Sequence, residues 1–264
     1  MLKTITVIQA RLGSSRLPRK VLLPLGGKPM LLRMIERVKM SKLAGKIIIA
    51  TTLNKEDDEI VGLCNANALH VFRGDQCDLL DRHYKCAIEE NAKIILKIPS
   101  DCPLIDPNVI DKVVNYFLQN KVDYCSNLHP QSYPDGQDVE VFSISSLKKA
   151  WEEAKLDFER EHTTPYIWER PNLFKIKNYK WEEGSNLSMT YRITVDYKED
   201  YELVKRVFDK LYKKNRIFNI REIVSLLKSN EDIYKLNLRY LGVNWYRNHL
   251  NELKTIKQDE TRFI

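Results

Sequence analysis

Short β-branched apolar runs alternate with amphipathic stretches through the first half of the chain, the pattern of a mostly parallel sheet covered by helices on both faces. The spacing predicts strands over 4–10, 46–51, 69–73 and 94–98, and helices over 30–38, 56–65, 79–91 and 107–119. Pro29 and Pro107 suit a first helical turn, where the missing N–H costs nothing, and Asp106 is placed to cap the second of these helices. The third quarter changes character. Strands are expected over 123–127, 139–143 and 174–179, separated by Pro/Gly/Asp turns and a helix from Ser146 to about Ala154, so the segment of about 123–185 reads as a β-rich insertion. A last strand over 191–196 then feeds an amphipathic helix carrying Tyr201, Val204, Val207, Phe208 and Leu211. The domain expectation is one α/β unit over 1–228, including the insertion, followed by a helical extension over 229–264.

Composition narrows the class without adding to the architecture. With 43% hydrophobic and 30% charged residues among 264, the chain can bury a large core and is too apolar to be a disordered polymer. Nine glycines and ten prolines leave no room for collagen-like repeats or a Gly/Ser linker. The five cysteines are odd in number and lack Cys-x-x-Cys spacing, which suits a reducing cytoplasm. Met1–Ile5 enters a strand-like run without the apolar stretch of a signal peptide, and no apolar span of roughly 20 residues follows, so neither export nor membrane insertion is expected.

The net charge of +7 is local. Residues 1–204 hold 29 Lys+Arg against 29 Asp+Glu, whereas residues 205–264 hold 14 against 7. At that density a solvated helical face explains the tail better than a nucleic-acid surface.

Chemistry concentrates at three strand ends. After the first strand, Gln9–Leu22 packs Arg11, Arg16, Arg19 and Lys20 with Gly13, Ser14 and Ser15 into one strand-to-helix connection. Ligands of open α/β sheets bind beyond the carboxyl ends of strands. Backbone amides near Gly13 and Ser14 are therefore expected to cradle phosphate oxygens, with Arg16 and Lys20 neutralising them. The spacing is not that of a P-loop, and no G-x-G-x-x-G fingerprint is present. Ile94–Ile98 leads into Ser100-Asp101-Cys102-Pro103-Leu104, and Arg192–Val195 into Asp196, two strands that each deliver an acid. Mg²⁺ takes one or two protein carboxylates together with phosphate oxygens and water, which suits Asp101. Asp200 reads as a first-turn helix charge and Asp135-Gly136 as a tight turn.

Ala10, Arg11, Ser14, Arg16, Leu17, Pro18 and Lys20 match, position for position, the Ala-Arg-x-x-Ser-x-Arg-Leu-Pro-x-Lys signature of the CMP-sugar synthetases, the cytidylyltransferases that activate Kdo and sialic-type acids. Asp101–Leu104 is similar to that family's Gly-Asp-x-Pro-Leu motif, with Ser100 where glycine is usual. Val195-Asp196 with Glu199-Asp200 resembles its Val-Asp-x-x-Glu-Asp motif. The resemblance covers most of 3–204. It implies a nucleotide-diphospho-sugar transferase fold, CTP and a small acidic acceptor as substrates, Mg²⁺ held by Asp101 and Asp196, and a homodimer.

On that resemblance, Arg16, Lys20 and Asp101 are the catalytic candidates, and Ala10, Arg11, Gly13, Ser14, Thr52 and Ser100 join Arg16 and Lys20 in nucleotide binding. Two further segments, Arg73 with Asp81-Arg82 and Asp138–Glu140 with Arg160–His162, resemble the branch typified by the spore coat polysaccharide biosynthesis protein F. They make Asp138, Glu140, Arg160 and His162 candidates for the acceptor pocket, and Arg73, Asp81 and Arg82 candidates for binding substrate in the nucleotide or acceptor pocket. Two rival readings stay open: a metal-dependent glycosyltransferase, disfavoured by the lack of any Asp-x-Asp pair, and a non-catalytic sugar-nucleotide-binding protein, which would not need both carboxylates.

Overall fold

The computed structural model describes residues 2–264. Its first half contains β1 (Thr4–Gln9), a hairpin of β2 (Pro24–Leu25) and β3 (Lys28–Pro29), α1 (Met30–Val38), β4 (Lys46–Thr52), α2 (Asp58–Ala66), β5 (His70–Gly74), α3 (Leu79–Glu89), β6 (Ile94–Lys97) and α4 (Pro107–Asn120). Then come β7 (Tyr124–Ser126), β8 (Glu140–Ser143), α5 (Ile144–Glu153), α6 (Asp157–His162), α7 (Pro165–Trp168), β9 (Ile176–Asn178), α8 (Lys198–Leu211), α9 (Ile220–Ser229) and α10 (Glu231–Tyr234). Short 3-10 turns fill much of the remaining C-terminal segment.

One seven-stranded sheet runs in the order β5-β4-β1-β6-β8-β7-β9. β1, β4, β5 and β6 are parallel, as the alternation with helices predicts, while β8 pairs antiparallel with both β6 and β7. The strands of 123–185 thus extend the main sheet instead of building a layer of their own. The two-residue period decides the core. Ile5, Val7, Ile48, Ala50 and Ile95 face the layer of α3, α5, α6 and α7, while Ile8, Ile49, Ile94 and Leu96 face that of α1, α4, α8 and α9.

Helix ends follow local chemistry. Asp106 caps α4 by accepting from the Asn108 amide at 2.8 Å, with Pro107 in the first turn. The sequence pattern does not show α6 and α7: twelve residues with a break at Thr163, where φ is 73°, are too short for a helical period.

The predicted strand over 191–196 is a correction. The segment is extended, but it lies outside the sheet. Its hydrogen bonds go to loops: Ile193 N to Asp135 O at 2.7 Å and Val195 N to Asp101 O at 2.9 Å. The period-2 pattern reported two buried faces correctly, and the backbone found its partners in the turns that carry the functional acids.

Candidate active site

The loop after β1 is held from below. The Ala10 amide donates to Ala50 O at 3.1 Å, the Leu12 amide to Asp57 Oδ1 at 2.8 Å, and the Arg19 amide to Leu12 O at 3.0 Å. Thr52 Oγ1 donates to the other oxygen of Asp57, so Thr52 supports this loop from a fully buried position. The loop then turns Lys20 inward.

Lys20 is the centre of the arrangement. Its ammonium donates to Asp101 Oδ2 at 3.1 Å, Asp196 Oδ1 at 3.0 Å and the Val195 carbonyl at 2.7 Å. Burial alone would push this amine down, but the two carboxylates outweigh it and hold the group above the usual lysine range. Lys20 is therefore a fixed cation. Arg16 donates to Asp196 Oδ1 at 2.8 Å and lies over the Tyr197 ring at 5.2 Å.

Asp196 takes its other bond from Arg192, whose Nη2 is 2.9 Å from Oδ2. Burial would raise this carboxyl, yet Lys20, Arg16 and Arg192 together hold it well below the usual carboxylate range. Arg192 is 2% exposed and also donates to Asp135 at 2.7 Å, Asp200 at 3.0 Å and the Val243 carbonyl at 2.9 Å. Asp200 lies in the first turn of α8, as the sequence reading has it, and does more than complement the helix: it is fully buried, and its Oδ2 accepts from the Asp196 and Tyr197 amides at 3.0 Å each. It fixes the turn that presents Asp196.

Two cavities meet at this cluster. The larger, about 620 Å³, is lined by Ala10, Arg11, Ser14, Arg82, Ser100 and Arg160 together with Arg16, Lys20, Asp101 and Asp196, and Cys77 stands at its edge. The smaller, about 250 Å³, is lined by Asp135, Asp138, Glu140, Lys97, Arg192 and an aromatic wall. Gln9, Arg16, Pro99, Asp101, His162 and Asp196 border both.

Not every predicted residue reaches this junction. Gly13, Thr52, Arg73 and Asp81 border neither cavity. A Cβ at Gly13 would stand 2.9 Å from Glu56 Oε1, so this glycine permits close packing against Glu56. Ser14 lines the cleft, but its amide donates to Leu12 O at 2.8 Å and is not turned to an anion. Arg73 binds the Thr52 and Asn54 carbonyls and Asp58, and Asp81 accepts from the Trp151 indole at 2.8 Å; both organise packing beside the cleft. Arg82 lines the cleft with its guanidinium donating to the Asp75 and Gln76 carbonyls, and Arg160 is paired with Asp78 at 2.6 Å. Glu140 is held by Lys97, Tyr124 and Thr164.

Sequence reasoning missed Gln9, Lys97, Arg192 and the wall from 243 to 246. Each lies in a strand-like or aromatic run that reads as core. Asp135, read as a turn, is a half-buried acid on the smaller cavity, paired with Arg192. Burial, against the pull of Arg192 and with Asp196, Asp200 and Asp101 nearby, raises its carboxyl to about 7.

For a divalent cation the cluster offers part of a coordination shell. Among the described residues no group of three or more His, Cys, Asp or Glu could hold a metal alone. Asp101 and Asp196, gathered on one ammonium, fit an ion that takes only two protein carboxylates and completes its shell with phosphate oxygens and water.

Comparison with known proteins decides the family: the cytidylyltransferase family model matches residues 5–258. The chain belongs to the cytidylyltransferases. Uncharacterized protein MJ1063 of Methanocaldococcus jannaschii is 41% identical to this cytidylyltransferase, covering 89% of this chain and 95% of that protein. Spore coat polysaccharide biosynthesis protein SpsF of Bacillus subtilis is 31% identical, over 86% of this chain and 94% of its own. A solved cytidylyltransferase from Leptospira borgpetersenii superposes with a TM-score of 0.84 at 34% identity, covering 89% of this chain and 98% of that one. The fold is the nucleotidyltransferase fold expected from the motifs, and no helix among the described residues is long and apolar enough to cross a membrane.

Proposed function

We propose that this enzyme transfers CMP from CTP to a sugar acid or related small acidic acceptor and releases pyrophosphate. The observation that carries the reading is the convergence of Arg16, Lys20, Asp101 and Asp196 where two cavities meet. A two-substrate transfer needs such a junction: the larger, cation-lined cleft suits the nucleoside triphosphate, the smaller cavity suits the acceptor, and the reacting phosphorus lies between. An acceptor oxygen attacks the α-phosphorus, the bond to the β-phosphate oxygen breaks, and pyrophosphate leaves. Arg16 and Lys20 neutralise charge that builds on the leaving phosphates, and Arg11, Ser14 and Ser100 line the nucleotide side. Asp101 and Asp196 would hold Mg²⁺, whose Lewis acidity lowers the cost of bringing two anions together.

The similarity to SpsF and to the CMP-sugar synthetase motifs supports a place in surface polysaccharide or glycan biosynthesis; that the enzyme works in the cytoplasm as a homodimer is part of the same proposal. The test is pyrophosphate release from each of the four NTPs with Mg²⁺ against a panel of sugar acids. Release that needs both CTP and an acid is expected. Release with another base but not with CTP, or none with any pair, would overturn the proposal.

A further inference from the structure

The smaller cavity is closed by a part of the chain that the motifs do not reach. Val243 accepts from Arg192 Nη1 at 2.9 Å, so the turn it opens is tied to the guanidinium that also holds Asp196. From the other side the turn is pinned by Asn244 Nδ2 to Glu260 O at 2.8 Å and by the Arg262 amide to Gly242 O at 2.8 Å. Asn237 adds a third tie, its Nδ2 donating to Arg192 O at 3.0 Å and Asp200 Oδ1 at 2.8 Å. The segment is thus tied at two points, Val243 and Asn237, to the buried arginine of the site.

What the turn presents is flat and uncharged. Trp245 stacks on His162 with ring centroids 3.7 Å apart and planes 17° apart, and His162 borders both cavities. Tyr246 Oη lies 3.2 Å from His129 Nδ1, and His129 stacks on Trp168 at 4.2 Å. Burial pushes His162 down to about 3 and His129 to about 4, so both imidazoles are neutral at working pH. Neutral aromatic faces beside polar groups suit the C–H face of a carbohydrate ring.

The polar lining of the cavity sets the substituents. Beside Asp196, which Arg192 holds, the acids Asp135, Asp138 and Glu140 line this cavity with Lys97 and Arg192. Lys97 is spent on Glu140 and Arg192 on Asp135. Asp138 has no ion pair among the described residues, and its Oδ1 accepts only from the Gly136 amide at 3.3 Å. Burial, with Asp135 and Asp101 nearby, holds the Asp138 carboxyl well above the usual range, so hydroxyls and amines can satisfy it, whereas a second anionic group would find no cation free to receive it, Lys97 and Arg192 being already paired.

We infer that the turn 243–246 selects the acceptor: Trp245, backed by His162, is the platform for a monosaccharide ring whose inward substituents are hydroxyls or amines, not a phosphate or a second carboxylate. This rests on the cytidylyl-transfer reading and names the acceptor class for it.

The experiment uses the full-length enzyme. CTP binding is measured by calorimetry. Pyrophosphate release and tryptophan quenching are then followed with sugar acids and with their terminal phosphate esters as probes, for wild type, Trp245→Ala and Trp245→Phe. The expected result is an acceptor KM raised at least tenfold by Trp245→Ala and partly restored by Trp245→Phe, with the KM for CTP within twofold of wild type and the phosphate esters much poorer than the parent acids. An unchanged acceptor KM, an equal rise in the KM for CTP, or better turnover of the esters would overturn the inference and leave cytidylyl transfer standing. CTP binding with no sugar of the panel bound or turned over would overturn the acceptor class alone. Failure to bind CTP would remove the underlying reading and this one with it.

Discussion

Lys20→Met keeps the length of the side chain and removes the cation on which Asp101 and Asp196 converge. Two consequences of opposite sign follow. The developing phosphate charge loses a desolvated ammonium. A unit charge about 4 Å away at an effective dielectric of about 20 is worth about 4 kcal/mol, and loss of comparable preorganised donors costs about 3 kcal/mol, or roughly a hundredfold in turnover. Meanwhile two carboxylates that were 3.1 and 3.0 Å from Lys20 Nζ face each other with only Arg16 and Arg192 to offset Asp196. The variant is therefore expected to bind Mn²⁺ more tightly than wild type in the absence of nucleotide, while reacting more slowly with it. Single-turnover pyrophosphate release at saturating CTP and Mg²⁺ reads the first effect, and paramagnetic titration of Mn²⁺ the second. A rate within fivefold of wild type, or an unchanged Mn²⁺ affinity, would refute the reasoning. Lys20→Arg is expected to fail as well, because a planar fork does not fit a space that one compact ammonium shares among three oxygens.

Three other expectations concern the scaffold. Burial holds His83 near 3, His129 near 4 and His162 near 3, against 6.5 when unfolded, so the folded state binds fewer protons below 6.5. Stability is then complete above about pH 7 and falls as the pH drops toward 4, by about 2 kcal/mol per histidine at pH 5; urea melts from pH 8 to 5 should show the slope, and His83→Gln should flatten it. Asp106→Ala removes the α4 cap and strands the Ile220 amide, which donates to Asp106 Oδ2 at 2.9 Å, and should cost about 2–4 kcal/mol in a urea titration. Gly136 has φ of 109°, and a Cβ there would stand 2.6 Å from Thr194 N. Gly136→Ala should therefore cost about 2 kcal/mol or more by thermal melting and lower turnover by displacing Asp135 and Asp138.

Much of this architecture is legible in the sequence because burial on two faces leaves a short, nearly continuous β-branched run, as in Ile5, Val7 and Ile8 of β1, and because caps such as Asp106 act locally. The loop from Ala10 to Lys20 is legible for a different reason: four cations in one short connection exceed what packing asks for. The rest depends on partners distant in the chain. Nothing near Tyr191–Asp196 tells that its amides bind the 101 and 135 turns instead of a strand. Nothing near Trp245 tells that an aromatic run faces a cavity instead of the core. Arg192 is the sharpest case, since its role exists only where Asp135, Asp196, Asp200 and Val243 meet. The acid pair on Lys20 was predictable from motif order, whereas the seats of Thr52, Arg73 and Asp81 just outside the cleft were not.

Of the five cysteines, Cys77 at the rim of the larger cleft is the exposed one, and Cys64, Cys86, Cys102 and Cys125 are buried. The wild-type protein therefore carries a ready attachment point: a maleimide dye would mark one position without prior mutagenesis, and its emission would report occupancy of the nucleotide side directly.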